Sequence, residues 1–244
     1  MHIKLDTGMG RLGTADPDEA TALLERCEQT PELEAAGAMT HFATADELGD
    51  RFFAEQLLAF TAWAGDVRRV APTAVLHAAN SAALLRDRDS HFDMVRPGVA
   101  LYGMDPFGAD AAARELRPAM ELVATLGARH AVRAGDTTGY GRRWMAQRDG
   151  WIGIVPVGYA DGWRRAFAGR ADVLVAGVRR PLIGTVSMDS VAVDLGDHPA
   201  AIGSEVLLIG ERGGERLTVE ELARQIGTIN YEITCGVGGR VPRT

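Results

Sequence analysis

The stretch HIKLDTGMGRLGTADPDEATALLERCEQ, residues 2–29, contains the repeating unit of the fold. Its first part, HIKLDTG, predicts a short β-strand that ends in a glycine-rich turn. Asp16 then supplies a helix N-cap and Pro17 the first helical position, so a helix should begin here and end before Pro31. The stretch is therefore predicted to form one βα unit.

The same pattern continues along the first hundred residues. Buried strands are predicted for GAMTHFA at residues 37–43 and AVLHAANS at residues 74–81, and residues 51–70 have a helical apolar period. DMVRPGVALYG, at residues 93–103, predicts a fourth strand. Four βα units would leave the edges of a parallel half-barrel unpaired, whereas eight units close on themselves. Either the missing half lies in another chain, or this chain is shorter than its folding unit.

The second half of the chain has a different pattern. From residue 121 onward, short alternating runs separated by Gly and Asp predict a mostly antiparallel β domain. One late helix is introduced by the capping-box motif TVEE at residues 218–221. We therefore expect a partial α/β barrel over residues 1–117 and a β domain over residues 118–244, joined through residues 107–119.

Composition excludes several classes of protein. The 244 residues are 46% hydrophobic and 24% charged, as in globular domains, and the net charge of −7 argues against a nucleic-acid surface. No stretch approaches the ~20 apolar residues that span a membrane, and no secretory signal precedes the first strand. The two cysteines, Cys27 and Cys235, fit a reducing compartment, so we expect a cytoplasmic protein. Among the 26 basic side chains, Lys4 is the single lysine.

Polar residues near the strand ends are the first candidates for chemistry, because these ends meet at one rim of a barrel. Lys4 lies in the first strand. Arg11 follows it in a turn, where a solvated surface arginine is the commoner interpretation and a guanidinium that binds a carboxylate is the functional one. His41 and His77 each end an apolar strand, where a packed core histidine is the commoner interpretation. Arg96 interrupts an apolar run, and a buried guanidinium requires partners fixed in place.

Two further groups of residues suggest anion binding or catalysis. Asn80 and Ser81 are either a helix N-cap or part of a phosphate site, and the backbone at Gly98 and Val99 could present N–H groups to an anion. No metal-ligand cluster, P-loop or dinucleotide fingerprint is present, so no metal site is expected. Tyrosines occur in three glycine-flanked segments of the second half, where a packing role is commoner than acid or base chemistry.

Eight segments, taken in order, resemble the alanine racemase family of pyridoxal-phosphate enzymes. They are HIKLDTGMGRLG, THFATADE, HAANSAALL, DMVRPGVALYG, TTGYGRRW, VPVGYADGWRR, VSMD and INYEITCGVGGRVPR. The resemblance implies the C-terminal half of a (β/α)8 TIM-type barrel followed by a β domain. It also implies interconversion of L- and D-alanine by two-base proton exchange on a pyridoxal-phosphate aldimine, which supplies D-alanine for peptidoglycan.

The resemblance also assigns roles to individual residues, in a homodimer whose active sites are shared between subunits. Tyr140, acting from the partner subunit, is expected to exchange the proton of L-alanine, and His41 to link this tyrosine to Arg96. Cofactor contacts are expected from His77, Asn80, Ser81, Arg96, Gly98, Val99 and Tyr231. Substrate contacts are expected from Arg11, Met188, Lys4, Tyr159 and Asp189, and the lysine in the position of Lys4 is carbamylated in some members.

The sequence departs from the family in one respect. The family's Schiff-base lysine, which also exchanges the proton on the D face, lies upstream of every segment seen here. We therefore expect this chain to be a fragment whose full form extends before Met1. The alternatives are a non-catalytic remnant that binds a phosphate ligand or a full-length partner, and a related racemase or decarboxylase with another substrate.

Overall fold

The computed structural model describes all 244 residues, which group into two compact units, residues 1–101 and residues 102–244. Each unit has its own sheet, helices and buried core. None of the helices combines the length and the apolar composition that crossing a membrane requires.

The first unit is built on a three-stranded parallel sheet. Its strands lie in the order β1 (His2–Lys4), β2 (Gly37–Met39) and β3 (Val75–His77), as the repeated βα pattern predicts. Lys4, Met39 and His77 are in register across the sheet. The carboxyl ends of all three strands, and the polar residues that follow them, therefore lie at one edge.

Three helices connect and cover these strands: α1 (Pro17–Gln29), α2 (Phe52–Val70) and α3 (Ser81–Arg86). The Asp16 side chain caps α1 by accepting from two N–H groups of its first turn, as predicted. Asn80 caps α3 by accepting from Ala83 N at 2.9 Å, so the capping interpretation of Asn80 is confirmed.

The prediction of a fourth strand over residues 93–103 is wrong for most of the segment. In DMVRPGVALYG only Met94 pairs with the sheet, through an isolated parallel bridge to His77. Arg96 N still donates to a backbone carbonyl, that of Ala79, at 2.9 Å. Pro97 then has no N–H to continue the pairing, and residues Val99–Tyr102 form a 3-10 helix instead.

The second unit contains the predicted antiparallel β structure. The strands are β4 (Leu122–Thr125), β5 (Ala128–Val132), β6 (Thr137–Thr138), β7 (Trp144–Met145), β8 (Gly150–Val155), β9 (Asp172–Val175), β10 (Val178–Ile183), β11 (Val191–Gly196), β12 (Glu205–Arg212) and β13 (Glu215–Leu217). Eight of them form the main sheet, in which seven follow the order β13-β12-β9-β10-β11-β8-β5 and β4 also pairs with β12. Strands β6 and β7 form a separate pair.

Two helices follow the last strand, although the sequence predicts one. Helix α4 (Val219–Ile226) begins at Thr218, whose side chain accepts from Glu221 N at 3.1 Å, as the capping box predicts. Helix α5 (Asn230–Gly236) occupies a segment expected to be a glycine-flanked turn. That expectation is wrong because α5 begins without a side-chain cap at Ile229, so no local start signal is present.

The two units divide after Leu101, before the predicted boundary at residues 117 and 118. Asp105 is fully buried in the second unit, where its N–H donates to Glu220 Oε1 at 3.0 Å. Its carboxylate accepts from Arg114 Nε at 3.1 Å. These bonds attach the segment after Leu101 to the helices of the second unit.

Candidate functional site

The guanidinium of Arg96 is the centre of a hydrogen-bonded cluster in the first unit. Its Nη2 donates to the carbonyls of Thr40 at 2.8 Å and Ala78 at 3.0 Å, and to His41 Nδ1 at 3.2 Å. Its Nη1 donates to His77 Nδ1 at 2.7 Å. None of these bonds uses the Nε–H group. The half-buried guanidinium therefore has fixed partners on both terminal nitrogens, and its Nε–H is left for a ligand.

The cluster keeps both histidines neutral at pH 7. Burial, with the charges of Arg96 and then His2, lowers the pKa of His77 to about 4. Burial and the charge of Arg96 also lower the pKa of His41. Because a guanidinium only donates, each Nδ1 that faces Arg96 must accept. His41 and His77 therefore carry their ring protons on Nε2.

A buried glutamine supports the end of β2. Gln56, only 1% exposed on α2, donates from Nε2 to Thr7 Oγ1 at 3.2 Å and to the His41 carbonyl at 3.3 Å. Its Oε1 accepts from Ala43 N at 2.8 Å, and the hydroxyls of Thr7 and Thr40 lie 2.8 Å apart. Sequence reasoning missed this support, although a glutamine on the apolar face of a helix was an available signal.

The candidate phosphate residues lie together where α3 begins. Ser81, 2% exposed, accepts at Oγ from Gly98 N at 2.8 Å and from Ala100 N at 3.3 Å. Both bonds use the lone pairs of the hydroxyl, so its proton remains available to an acceptor. The N–H of Val99 is not used within the chain. A hydroxyl and a backbone N–H are thus left as neighbouring donors.

The turn after β1 is ordered by Asp6. Its Oδ1 accepts from the backbone N–H groups of residues 8, 9 and 10, at 3.0, 2.7 and 3.1 Å. Lys4 Nζ lies 4.0 Å from this carboxylate and donates to the Leu12 carbonyl, and burial lowers the pKa of Lys4. Arg11 is exposed and makes no hydrogen bond within the chain.

In the second unit, Tyr140 projects from a braced loop. The tyrosine is 75% exposed, and its phenol makes no hydrogen bond within the chain. Its carbonyl accepts from Thr185 Oγ1 at 3.0 Å, which fixes the backbone beneath the ring. Gly139 and Gly141 on either side have φ angles of +78° and +73°, a left-handed region that favours glycine.

Three other candidates meet on the segment that follows Thr185. Tyr159 N donates to the Ser187 carbonyl at 3.1 Å, and the next N–H donates to the Met188 carbonyl at 3.0 Å. Asp189 accepts from Arg240 Nη2 at 2.9 Å. Residues 184–189 therefore form a common support for candidates that are separated widely in the sequence.

Tyr231 lies in the first turn of α5 and is 39% exposed. The preceding residue, Asn230, is buried and donates from Nδ2 to the Asp105 carbonyl at 2.7 Å and to Glu220 Oε1 at 3.1 Å. This pair of bonds anchors the start of the helix that carries the tyrosine.

The structure thus brings the sequence candidates together in groups. In the first unit, Arg96 contacts both candidate histidines, and Ser81 contacts the loop containing Gly98 and Val99. In the second unit, the loop of Tyr140 and the turn of Tyr159 rest on the segment that contains Met188 and Asp189. The roles of these residues in binding and catalysis stay predictions.

Comparison with known proteins covers both units. Residues 1–106 match the family model "Alanine racemase, N-terminal domain", and residues 119–244 match "Alanine racemase, C-terminal domain". The chain is 40% identical to alanine racemase 1 of Bacillus subtilis (strain 168), over 99% of this chain and 62% of that relative. This and the other most similar curated relatives are longer proteins, and the chain spans 62% to 66% of their length.

Two solved structures extend the comparison. The alanine racemase from D-cycloserine producing Streptomyces lavendulae has a TM-score of 0.93 and 39% identity, over 99% of this chain and 65% of that chain. The alanine racemase from Bartonella henselae, solved with covalently bound pyridoxal phosphate, has a TM-score of 0.83 and 30% identity, with coverage of 99% and 65%. The predicted fold class, a partial α/β barrel followed in sequence by a β domain, is confirmed.

Proposed function

This chain belongs to the alanine racemase family, and from that premise we propose that it contributes most of a pyridoxal 5′-phosphate site that interconverts L- and D-alanine. The observation that carries the proposal is the Arg96 cluster, in which both candidate histidines hold one guanidinium in place. The cytoplasmic location and the supply of D-alanine for peptidoglycan stay predictions.

The residues of the first unit fit the cofactor. Ser81 and Val99 retain an O–H and an N–H that suit a phosphate, and the Nε–H of Arg96 suits the nitrogen of a pyridine ring. His77 and Asn80 act behind them, His77 by holding Arg96 and Asn80 by capping the helix that begins with Ser81. When bound, the cofactor withdraws electrons from the α-carbon of the substrate and so acidifies its proton.

An arginine at position 96 suits a racemase better than an acidic side chain at the same position would. A guanidinium keeps its proton at neutral pH, so Arg96 donates a hydrogen bond without protonating its partner. A pyridine nitrogen held in this way would attract electrons only weakly, which would suit return of a proton to the same carbon better than side reactions such as transamination.

His41 connects Arg96 to the proposed base. Since its Nδ1 accepts from Arg96, the proton on Nε2 is the one that His41 can donate to another group. We assign the recipient as the phenol oxygen of Tyr140 of the partner subunit, because a hydrogen bond to the charged form of a tyrosine favours that form. The exposure of Tyr140 on a braced loop supports a role across a homodimer interface.

The remaining candidates are proposed to bind the alanine carboxylate and to line its entrance. Arg11 has an exposed guanidinium without a partner in the chain, which suits a carboxylate. The Met188 backbone, Tyr159 and Asp189 share one support, so they are presented together. Lys4 lies in the strand before Arg11, where a carbamate on its amine would bring a negative charge toward this arginine.

The test combines cofactor binding with proton exchange. The chain is titrated with pyridoxal 5′-phosphate, followed by the visible absorption of the cofactor, and deuterium uptake at the α-carbon of L- and D-alanine is measured by NMR. We expect saturable binding that Ser81→Ala weakens about tenfold, since one phosphate donor is lost. Inorganic phosphate binding as tightly as the cofactor would favour the non-catalytic alternative instead.

The single lysine makes a further expectation specific. Lys4 is assigned to the substrate side and its amine donates to the Leu12 carbonyl, so we expect borohydride to leave no cofactor attached to Lys4. Covalent retention on Lys4 would contradict the assignment of Lys4 to the substrate side. If L- and D-alanine took up deuterium from the solvent at equal rates after Tyr140→Phe, the assignment of Tyr140 to the L face would be contradicted.

A further inference from the structure

A third histidine extends the Arg96 cluster across the parallel sheet. His2 lies at the start of β1, and its Nδ1 is 2.7 Å from His77 Nε2 on β3. The two rings meet edge to face, with centroids 4.9 Å apart and planes at 66°. Since β2 lies between these strands, the His2 side chain spans the middle strand to make this contact.

Gly37 on β2 creates the space for this crossing. Gly37 is the register partner of His2, and a Cβ at this position would overlap the imidazole of His2. The same Cβ would lie 2.9 Å from the Val75 carbonyl. The backbone conformation of Gly37 is an ordinary strand conformation, so the requirement for glycine is one of space rather than of φ.

The positions of the ring protons follow from Arg96. The guanidinium donates to His77 Nδ1, so the proton of neutral His77 is on Nε2. That Nε2–H can donate only to an acceptor, so His2 Nδ1 must accept and the proton of neutral His2 is on its own Nε2. Hydrogen bonds therefore run in one direction, from Arg96 through His77 to His2.

We propose that His2 is a positioning residue that holds His77, and through it the Arg96 guanidinium, in the orientation that leaves the Arg96 Nε–H for a ligand. His77 is 3% exposed and His2 is the group bonded to its Nε2, so a side chain that fills the same place without an acceptor would leave the Nε2–H unpaired. The ring would turn or change tautomer to recover a bond, and either change removes the acceptor that faces Arg96 Nη1. The identity of that ligand rests on the proposed function.

The substitution pair His2→Phe and His2→Asn separates the hydrogen bond from the packing of the ring. Phe keeps an aromatic ring in the gap above Gly37 but has no acceptor, whereas Asn places an oxygen close to the position of Nδ1. With the 15N-labelled chain, NMR reports the His77 tautomer and the exchange of its Nε2–H with water. We expect His2→Phe to accelerate this exchange about tenfold and His2→Asn to restore the slow exchange.

Two further variants complete the design. Gly37→Ala keeps every hydrogen-bonding residue but displaces the His2 ring, so it should also accelerate exchange at His77 Nε2. His130→Phe is the matched control, because it makes the same His-to-Phe change at an exposed position in the second unit. It should leave the exchange of the His77 Nε2–H unchanged. A His77 ring protonated on Nδ1, or unaltered exchange in both His2→Phe and Gly37→Ala, would overturn the proposal.

A parallel titration with pyridoxal 5′-phosphate keeps this inference distinct from the proposed function. If the unaltered chain shows the slow His77 proton but binds no cofactor, the proposed function fails and the His2 contact stands. If the unaltered chain binds the cofactor, we expect His2→Phe to weaken binding several-fold and His2→Asn to recover it. If His2→Phe bound the cofactor as tightly as the unaltered chain while its His77 Nε2–H exchanged rapidly, His2 would not position Arg96 for this ligand.

Discussion

Acidification should destabilise the first unit through His77, because this histidine resists protonation in the folded state. Burial and the neighbouring charges of Arg96 and His2 lower its pKa from 6.5 to about 4. As the pH falls below 6.5, the unfolded chain takes up a proton that the folded chain accepts only near pH 4. The stabilisation is therefore complete above pH 6.5 and is lost as the pH approaches 4.

The magnitude follows from the difference between the two pKa values. Each unit corresponds to about 1.4 kcal/mol, so His77 alone can reduce the free energy of unfolding by up to about 3 kcal/mol across this range. This conversion applies because the side chain is 3% exposed and therefore poorly screened by water.

Urea unfolding between about pH 7 and about pH 4 measures this effect, by comparison of the unaltered chain with His77→Gln. We expect the variant to be less stable at neutral pH and to lose less stability on acidification, since it has no ring to protonate. His198→Gln, which changes an exposed histidine in a turn of the second unit, is the matched control. Parallel pH profiles for the unaltered chain and His77→Gln would refute the reasoning.

Three further substitutions test individual contacts. Gln56→Ala removes three hydrogen bonds of a buried side chain and should cost about 2 kcal/mol of unfolding free energy. The substitution Gln147→Ala, at an exposed position, should cost less than about 0.5 kcal/mol in the same urea experiment. Gly103 and Gly108 both have φ angles near +70°, but only at Gly103 would a Cβ overlap a backbone carbonyl. We expect Gly108→Ala to lower the free energy of unfolding by about 1 kcal/mol and Gly103→Ala to lower it by at least about 3 kcal/mol. Equal losses would exclude the overlap as the cause. Tyr140→Phe should change thermal stability by less than about 0.5 kcal/mol because the phenol is exposed, while slowing deuterium uptake by L-alanine more than by D-alanine; a large loss of stability would contradict this interpretation.

Local signals in the sequence predict the helix starts well. Asp16 and Thr218 are recognisable because a capping side chain acts on N–H groups two or three residues away, a distance that the sequence displays directly. The same reasoning fails for α5, whose first residues are held by contacts of Asn230 with Asp105 and Glu220, over a hundred residues and ten residues away. It also overestimates the strand that Pro97 ends.

The sequence reveals a site residue when a polar or charged side chain lies in an apolar segment, where burial without partners would cost free energy. Arg96 is conspicuous because a guanidinium in an apolar run requires partners, and the structure supplies them. The position of Gln56 on the apolar face of α2 is a signal that the residue is buried, but it does not reveal the partners, which the packing of α2 brings near. His2 gives no comparable signal, because its partner is brought near by the order of the strands. The support beneath Tyr140 and Tyr159 likewise depends on sheet connections between distant segments.

We propose that the first unit binds the pyridine nitrogen of pyridoxal 5′-phosphate through Arg96 and the phosphate of this cofactor through Ser81 and Val99. The most direct measurement is a 15N NMR titration of the chain, following Arg96 Nε–H and Val99 N–H as the cofactor or inorganic phosphate is added. We predict that the cofactor shifts both resonances and that inorganic phosphate shifts Val99 alone. An Arg96 Nε–H resonance that stays unchanged at saturating cofactor would contradict the claim.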